Sequence, residues 1–192
     1  MGMPAVDRRW TAREVRALIE ENPRHTPRYE LVDGELLVTP SPGLPHQRAV
    51  ARLMGALITY FDGEQVGEVL TSPFDVELEP ESITQPDIFV LPLAESRRLQ
   101  RDGLPALALL LAVEVLSPSS SRHDRVRKRP LYQRHVPEYW IVDLDARLIE
   151  RWRTGEERPE ITSQSLEWRP ADARSSFVLD VERFFAEVFV ER

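Results

Sequence analysis

The sequence predicts an α/β fold in the α+β sense, a central mixed β-sheet flanked by helices. Segments with apolar residues at helical spacing alternate with short β-branched runs along the 192 residues. One run, "LALLLAVEVLS", is apolar on both faces, as a strand in the middle of a sheet must be. Neither an internal repeat nor a low-complexity linker divides the chain, and its length suits one core, so residues 1–192 read as a single domain.

The elements follow in order. "TAREVRALIEE" opens with Thr11 as N-cap and Glu14 three residues later, a capping box, and places Val15, Leu18 and Ile19 on one face of a first helix. "RYELVDGELLVTP" is two β runs around Asp33 and Gly34, a pair suited to a type I′ turn, and reads as a hairpin. From Pro45 to Phe61, Val50, Leu53, Met54, Leu57 and Ile58 recur at helical spacing and predict a longer amphipathic helix. Strand signals follow in "GEVLTSPFDVEL", where Phe74, Val76 and Leu78 alternate, in "PDIFVL" and in the doubly apolar run. A third helix begins near Ser121 and Asp124, read as a second capping box, and Pro130 predicts a kink or a restart within it. "EYWIVD" and "RLIERWR" are strands about a turn at Asp145 and Ala146, "SLEWRP" is a further strand, and "DVERFFAEVF" is a short helix.

Composition excludes several classes of function. With 42% hydrophobic and 30% charged residues the chain is globular rather than disordered. No cysteine is present, which removes disulfides, thiolate metal sites and a cysteine nucleophile. "MGMPAVDRRW" lacks the apolar core of a signal peptide, and the longest apolar run is too short to span a bilayer, so no membrane association and a cytoplasmic location are expected. The net charge of −7 argues against wholesale coating of nucleic acid. Positive charge is nonetheless concentrated between Arg122 and Arg134, either as a solvated helix face or as a local anion site.

Two residue choices stand out. Glu114 is a carboxylate among apolar neighbours, so it must be paired, protonated or bound to a metal. Asp87 begins the neighbouring strand run, and two acids at adjacent strand ends suit a hard cation such as Mg²⁺. The alternative is that Asp87 caps a turn and Glu114 pairs with an arginine. Lys128 is the one lysine among 25 basic residues. An ammonium is a compact charge that exchanges protons, which a guanidinium does not do, although a surface pair with Asp124 at i, i+4 accounts for the position equally well.

"YELVDGELLVTPSPGLPHQ", "QPDIFVLP", "VEVLSPSSSRHDRVRKRPLY" and "VPEYWIVD" together resemble the bacterial Uma-type family of restriction endonucleases, a branch of the PD-(D/E)XK, restriction-endonuclease-like superfamily. The resemblance covers about residues 10–185. It implies an αβββαβ core, here with an added N-terminal helix, hairpin and C-terminal elements. It also implies an endonuclease that hydrolyses DNA with Mg²⁺ or Mn²⁺, in which Asp87 and Glu114 bind the metal and a lysine handles the attacking water. Leu116 stands where the motif lysine belongs, so Lys128 on the following helix is the expected substitute. Glu35 and His46 match positions usual in the family, and each also has a plain reading, an exposed hairpin acid and a helix-start hydrogen bond. Arg122, Arg125, Arg127 and Arg129 are the implied phosphate contacts. His135 replaces a glycine common before "VPEYW", and with Pro130 it touches the segment that aims Lys128; a nuclease fold that binds but no longer cuts is the rival expectation. Cutting both strands needs two sites, which a homodimer supplies, but no segment declares itself an interface.

Overall fold

The structure is a computed structural model that describes residues 8–103, 105–117 and 121–190. Helix α1 (Ala12–Glu20) starts at Thr11, and its capping box with Glu14 is formed in both directions. Strands β1 (Arg28–Val32) and β2 (Glu35–Thr39) make the expected hairpin. Asp33 and Gly34 both have positive φ, 52° and 79°, as a type I′ turn demands. Helix α2 (Leu44–Glu64) is longer at both ends than its apolar pattern.

Six strands form the central sheet in sequential order: β3 (Gly67–Thr71), β4 (Ile88–Pro92), β5 (Leu111–Val115), β6 (Glu138–Asp143), β7 (Leu148–Arg153) and β8 (Glu160–Thr162). Only β5 and β6 pair in parallel. Their crossover contains α4 (Ser121–His123), a π-helical turn (Asp124–Lys128) and α5 (Arg129–His135). Strands β9 (Ser165–Trp168) and β10 (Phe177–Asp180) form a separate hairpin, and α6 (Val181–Phe189) closes the described chain, capped by the Asp180 side chain.

Alternation along the strands divides the core in two. Ile88, Val90, Val113, Val115, Trp140 and Val142 face α2, α6 and the β9–β10 hairpin, where Trp140 meets Trp168 edge-on at 5.3 Å between ring centroids. At Gly67 a Cβ would come within 2.9 Å of the Leu91 carbonyl, so glycine lets β3 lie close against β4 and Phe61 of α2. Phe89, Leu91, Ala112, Leu116, Tyr139 and Ile141 face the other way, against Tyr132 and Val136 of the crossover. The hairpin β1–β2 is clamped between two helices. Leu31 packs with Val15 of α1, whereas Val32 and Leu37 pack with Leu131 of α5.

Three local expectations differ from the structure. The alternation from Phe74 to Leu78 forms no strand; only Val76 bridges, to Thr84 and Ala106, because the apolar positions plug the α5 side of the core from a loop. Helix α3 (Leu93–Asp102) has little apolar face to reveal it and is held by Glu95, which accepts from Arg98 and from the Leu107 amide. Ser121 lies inside the helix, where its hydroxyl accepts from Arg125 at 3.1 Å, and Asp124 is drawn inward to Lys128 instead of serving a cap. Pro130 does produce a restart, and the turn before it is π-helical. Proline has no N–H to offer, and the guanidinium of Arg129 bonds the Arg125 carbonyl at 3.0 Å.

Candidate active site

The β4–β5 register pairs Ile88 with Val113, so the next step of the antiparallel ladder sets Asp87 across from Glu114. Opposed residues in such a pair point to one face. Here it is the α5 face, which carries Phe89 and Ala112 as well.

Asp87 is 5% exposed and heavily hydrogen-bonded. Oδ1 accepts from Arg28 at 3.0 Å, and Oδ2 accepts from the Val115 amide at 2.9 Å and lies 3.0 Å from His46 Nε2. His46 therefore does more than start a helix: it ties α2 to the sheet across 41 residues of sequence. Arg28 also donates to the Gln85 carbonyl and Ser72, which fixes the hairpin against the loop leading into Asp87.

Glu114 and Lys128 are each 1% exposed. The π turn carries the Lys128 side chain inward, so that Nζ lies 3.0 Å from Glu114 Oε1, 2.8 Å from Glu30 Oε2 and 3.1 Å from Asp124 Oδ1. Tyr132, one turn further on, donates to the same Glu114 oxygen at 3.1 Å. Glu30 comes from β1 and uses its other oxygen to accept the Gln85 amide at 2.8 Å. Both readings of Lys128 thus meet in one place, since its pair with Asp124 exists and is buried rather than solvated.

Burial and the crowding of three carboxyl groups about one ammonium together set the direction in which each pKa moves. Burial works to strip the proton from Lys128, but Glu114, Glu30 and Asp124 outweigh it and raise its pKa well above the usual lysine value. Burial, with Asp124, Asp87 and Glu30 nearby, pushes the Glu114 carboxyl well up, and Lys128 opposes this only in part. For Asp87 burial pulls the same way, yet the His46 hydrogen bond, the Arg28 charge and the Val115 amide prevail and hold its pKa below the usual range. Two facing acids are therefore driven in opposite directions, a pattern common where carboxylates have distinct chemical tasks.

The structure brings Asp87, Glu114, Lys128 and His46 together and leaves Glu35 outside. Glu35 pairs with Arg127 at 2.7 Å at the turn end of the hairpin, and Glu30, further along the same face on β1, takes the inward place. The arginines separate as well. Arg125 is engaged by Asp143 and Glu150, both at 2.6 Å, and Arg129 lies over the Trp152 ring, whereas Arg122 and Arg127 are exposed. Glu30, Tyr132 and Arg28 carried no expectation from the sequence, and Asp124 was expected only as a cap and as a surface partner of Lys128. Glu30 had a legible signal, because "YEL" sets an acid between apolar residues just as "VEV" does at Glu114.

A cleft of about 390 Å³ opens onto Asp87, with Arg24, Arg28 and His46 around it and Thr39, Ser41 and Ser72 along its walls. Among the described residues no three of His, Cys, Asp and Glu are grouped so as to hold a metal ion alone. The donor chemistry still fits Mg²⁺ or Mn²⁺, which need only one or two protein carboxylates. Four buried carboxyl groups, Glu30, Asp87, Glu114 and Asp124, lie beside two cations, Arg28 and Lys128, and a divalent ion there would favour the ionised form of Glu114 that burial opposes.

Among solved structures the chain is similar to a "putative nuclease belonging to DUF820" from Anabaena variabilis ATCC 29413, with 19% identity over 84% of this chain and 92% of that one and a TM-score of 0.70. At that identity the likeness speaks for the fold. No curated protein matches the chain. The family model of Uma2, described as "Putative restriction endonuclease", matches residues 14–182, nearly the whole chain, and the protein therefore belongs to the Uma2 family.

Proposed function

We propose that the protein is a Mg²⁺- or Mn²⁺-dependent endonuclease that hydrolyses DNA phosphodiester bonds, with Asp87 and Glu114 as metal ligands and Lys128 as the third catalytic group. The observation that carries this reading is the buried surplus of carboxylate around the chain's one lysine, facing Asp87 across the β4–β5 ladder. A structural cluster needs no such surplus. The ion would act as a Lewis acid, offsetting charge on the phosphate and making water a stronger acid. Lys128, held protonated by its three carboxylates, serves as a fixed positive charge and donor toward water or the transition-state phosphate, not as a base. His46 and Arg28 position Asp87. Arg122 and Arg127, being exposed, are the phosphate contacts of the basic segment, while Arg125 and Arg129 stiffen it.

The test is cleavage of single- and double-stranded DNA in Mg²⁺ or Mn²⁺ by wild type beside Asp87→Ala, Glu114→Ala and Lys128→Ala. Each substitution is expected to lower the rate at least about a hundredfold. Equal trace activity in all four proteins would remove the assigned roles. A second reading, a nuclease fold that binds DNA without cutting it, has one observation in its favour: Glu114 and Lys128 are almost sealed and both Asp87 oxygens already accept hydrogen bonds. Salt-sensitive DNA binding with no cleavage in either metal would select it.

A further inference from the structure

A second cleft, of about 440 Å³, adjoins the one that opens onto Asp87; the two share His46 and Ser117 as a common wall. Their electrical characters are opposite. The first gathers Arg24, Arg28 and two histidines around Asp87. The second holds Asp143 and Asp145 with Arg125, and Asp143 and Glu150 already neutralise that arginine. An anionic backbone is attracted to the first cleft and repelled by the second.

What remains of a nucleotide whose phosphate sits in the first cleft is its uncharged base, and the second cleft has the surfaces for one. Pro45, Leu116, Leu144 and Phe189 give it apolar walls, and its volume falls in the usual range of about 300–1,000 Å³ for small-ligand sites. The two acids there differ in availability. Asp143 Oδ1 accepts the Asp145 and Ala146 amides and Oδ2 pairs with Arg125, whereas Asp145 is exposed on the turn. An ionised carboxylate is an acceptor only, so it bonds the exocyclic amino groups at N4 of cytosine, N6 of adenine and N2 of guanine; thymine has none, and its N3–H stands between two carbonyl oxygens that repel the carboxylate.

We propose that this second cleft is a nucleobase pocket, next to the scissile phosphate, that selects a base with an exocyclic amino group through Asp145. The proposal rests on the nuclease reading of the neighbouring cleft, since that reading brings a phosphate to the shared wall.

Fluorescence anisotropy in EDTA, with labelled single-stranded oligomers of deoxycytidine, of deoxythymidine and of abasic sugar-phosphate at equal length, reads the pocket without cleavage. Deoxycytidine should bind about tenfold more tightly than deoxythymidine, the equivalent of one charge-assisted hydrogen bond, and deoxythymidine more tightly than the abasic oligomer, which has no base to place between the apolar walls. Asp145→Asn should bring deoxycytidine close to deoxythymidine, and Ala146→Phe, which narrows the cleft, should bring deoxycytidine to the abasic level. Equal affinities for the three oligomers, no binding at all, or an Asp145→Asn variant that tightens all three alike as plain charge removal would do, each overturns the pocket. Cleavage of duplex DNA in Mn²⁺ is measured in parallel. Base-selective binding without cleavage would overturn the nuclease reading alone, and cleavage without selectivity would overturn the pocket alone.

Discussion

Two buried acid–base clusters lie on opposite faces of the central sheet, and they are built around different cations. On the face of α2 and α6, Glu138 of β6 is gripped by the Arg151 fork from β7, with Nε at 2.9 Å, and the indole of Trp140 donates to the same carboxylate at 3.2 Å. The pair is close to neutral, and its partners are cross-strand neighbours. On the face of α5, Lys128 meets three acids from three different segments, and the charges do not cancel. A guanidinium with a matched carboxylate satisfies a planar geometry and stays where it is. An ammonium among excess carboxylates leaves the site short of positive charge, which is a poor way to hold a fold together and a good way to receive a cation.

Removing the cation from each cluster should show the difference most strongly. Lys128→Met removes the cation that three buried acids share and is expected to cost about 3–5 kcal/mol, a loss that grows as the acids ionise, so thermal denaturation should show a larger drop in Tm at pH 8 than at pH 5. Replacing both members of the other pair, Glu138→Leu with Arg151→Met, should stay within about 2 kcal/mol of wild type and keep its activity, since a matched pair exchanges for apolar contact at little net change. A pair replacement as damaging as Lys128→Met would erase the distinction.

Glu114→Gln acts in the opposite direction. A raised carboxyl pKa means that the unfolded chain gives up its proton first, above about the ordinary 4.5, so the folded state loses relative stability as pH rises from there toward the folded-state pKa. Gln keeps the shape and removes that loss. The variant should be inactive, yet melt at least as high as wild type at pH 8, with a flatter stability profile above pH 5. Asp87 carries the reverse sign, because its lowered pKa contributes stability above the ordinary 3.8 that is lost as pH falls below it. A Glu114→Gln protein that melts lower than wild type at pH 8 would mean that the charge of Glu114 stabilises the fold. The smallest effect belongs to Tyr132→Phe, which deletes one donor to Glu114 and should cost about 1 kcal/mol in denaturant unfolding, with no matching loss at Tyr60, whose hydroxyl sits at the surface.

The sequence disclosed those parts of the fold that local chemistry determines. Thr11 with Glu14 and Asp33 with Gly34 specify their helix start and turn within four residues, and the structure forms both. The doubly apolar run identified a central strand, although only Leu111–Val115 is regular. Elements stabilised by distant partners were not legible: α3 depends on Glu95 reaching the Leu107 amide, and the run about Val76 fills the core without pairing along a strand. At the site, Glu114 and Lys128 were visible because each breaks its surroundings, an acid among aliphatics and one lysine among arginines. Asp124 was legible as the i, i+4 partner of Lys128 but not as a buried one, and Glu30, though an acid among apolar residues, gave no sign that it meets Nζ from a distant strand. The π turn that aims the lysine has only Pro130 as its mark, and proline announces an interruption without its direction.

The central claim is that the surplus buried charge is kept for a divalent cation. Mn²⁺ uptake followed by electron paramagnetic resonance, in wild type and in Glu114→Gln at pH 8, tests it most directly. The account predicts one Mn²⁺ bound per wild-type chain and none in the variant, with both proteins fully folded. Equal uptake by the two would contradict it and return the Lys128 cluster to the same standing as Glu138 with Arg151.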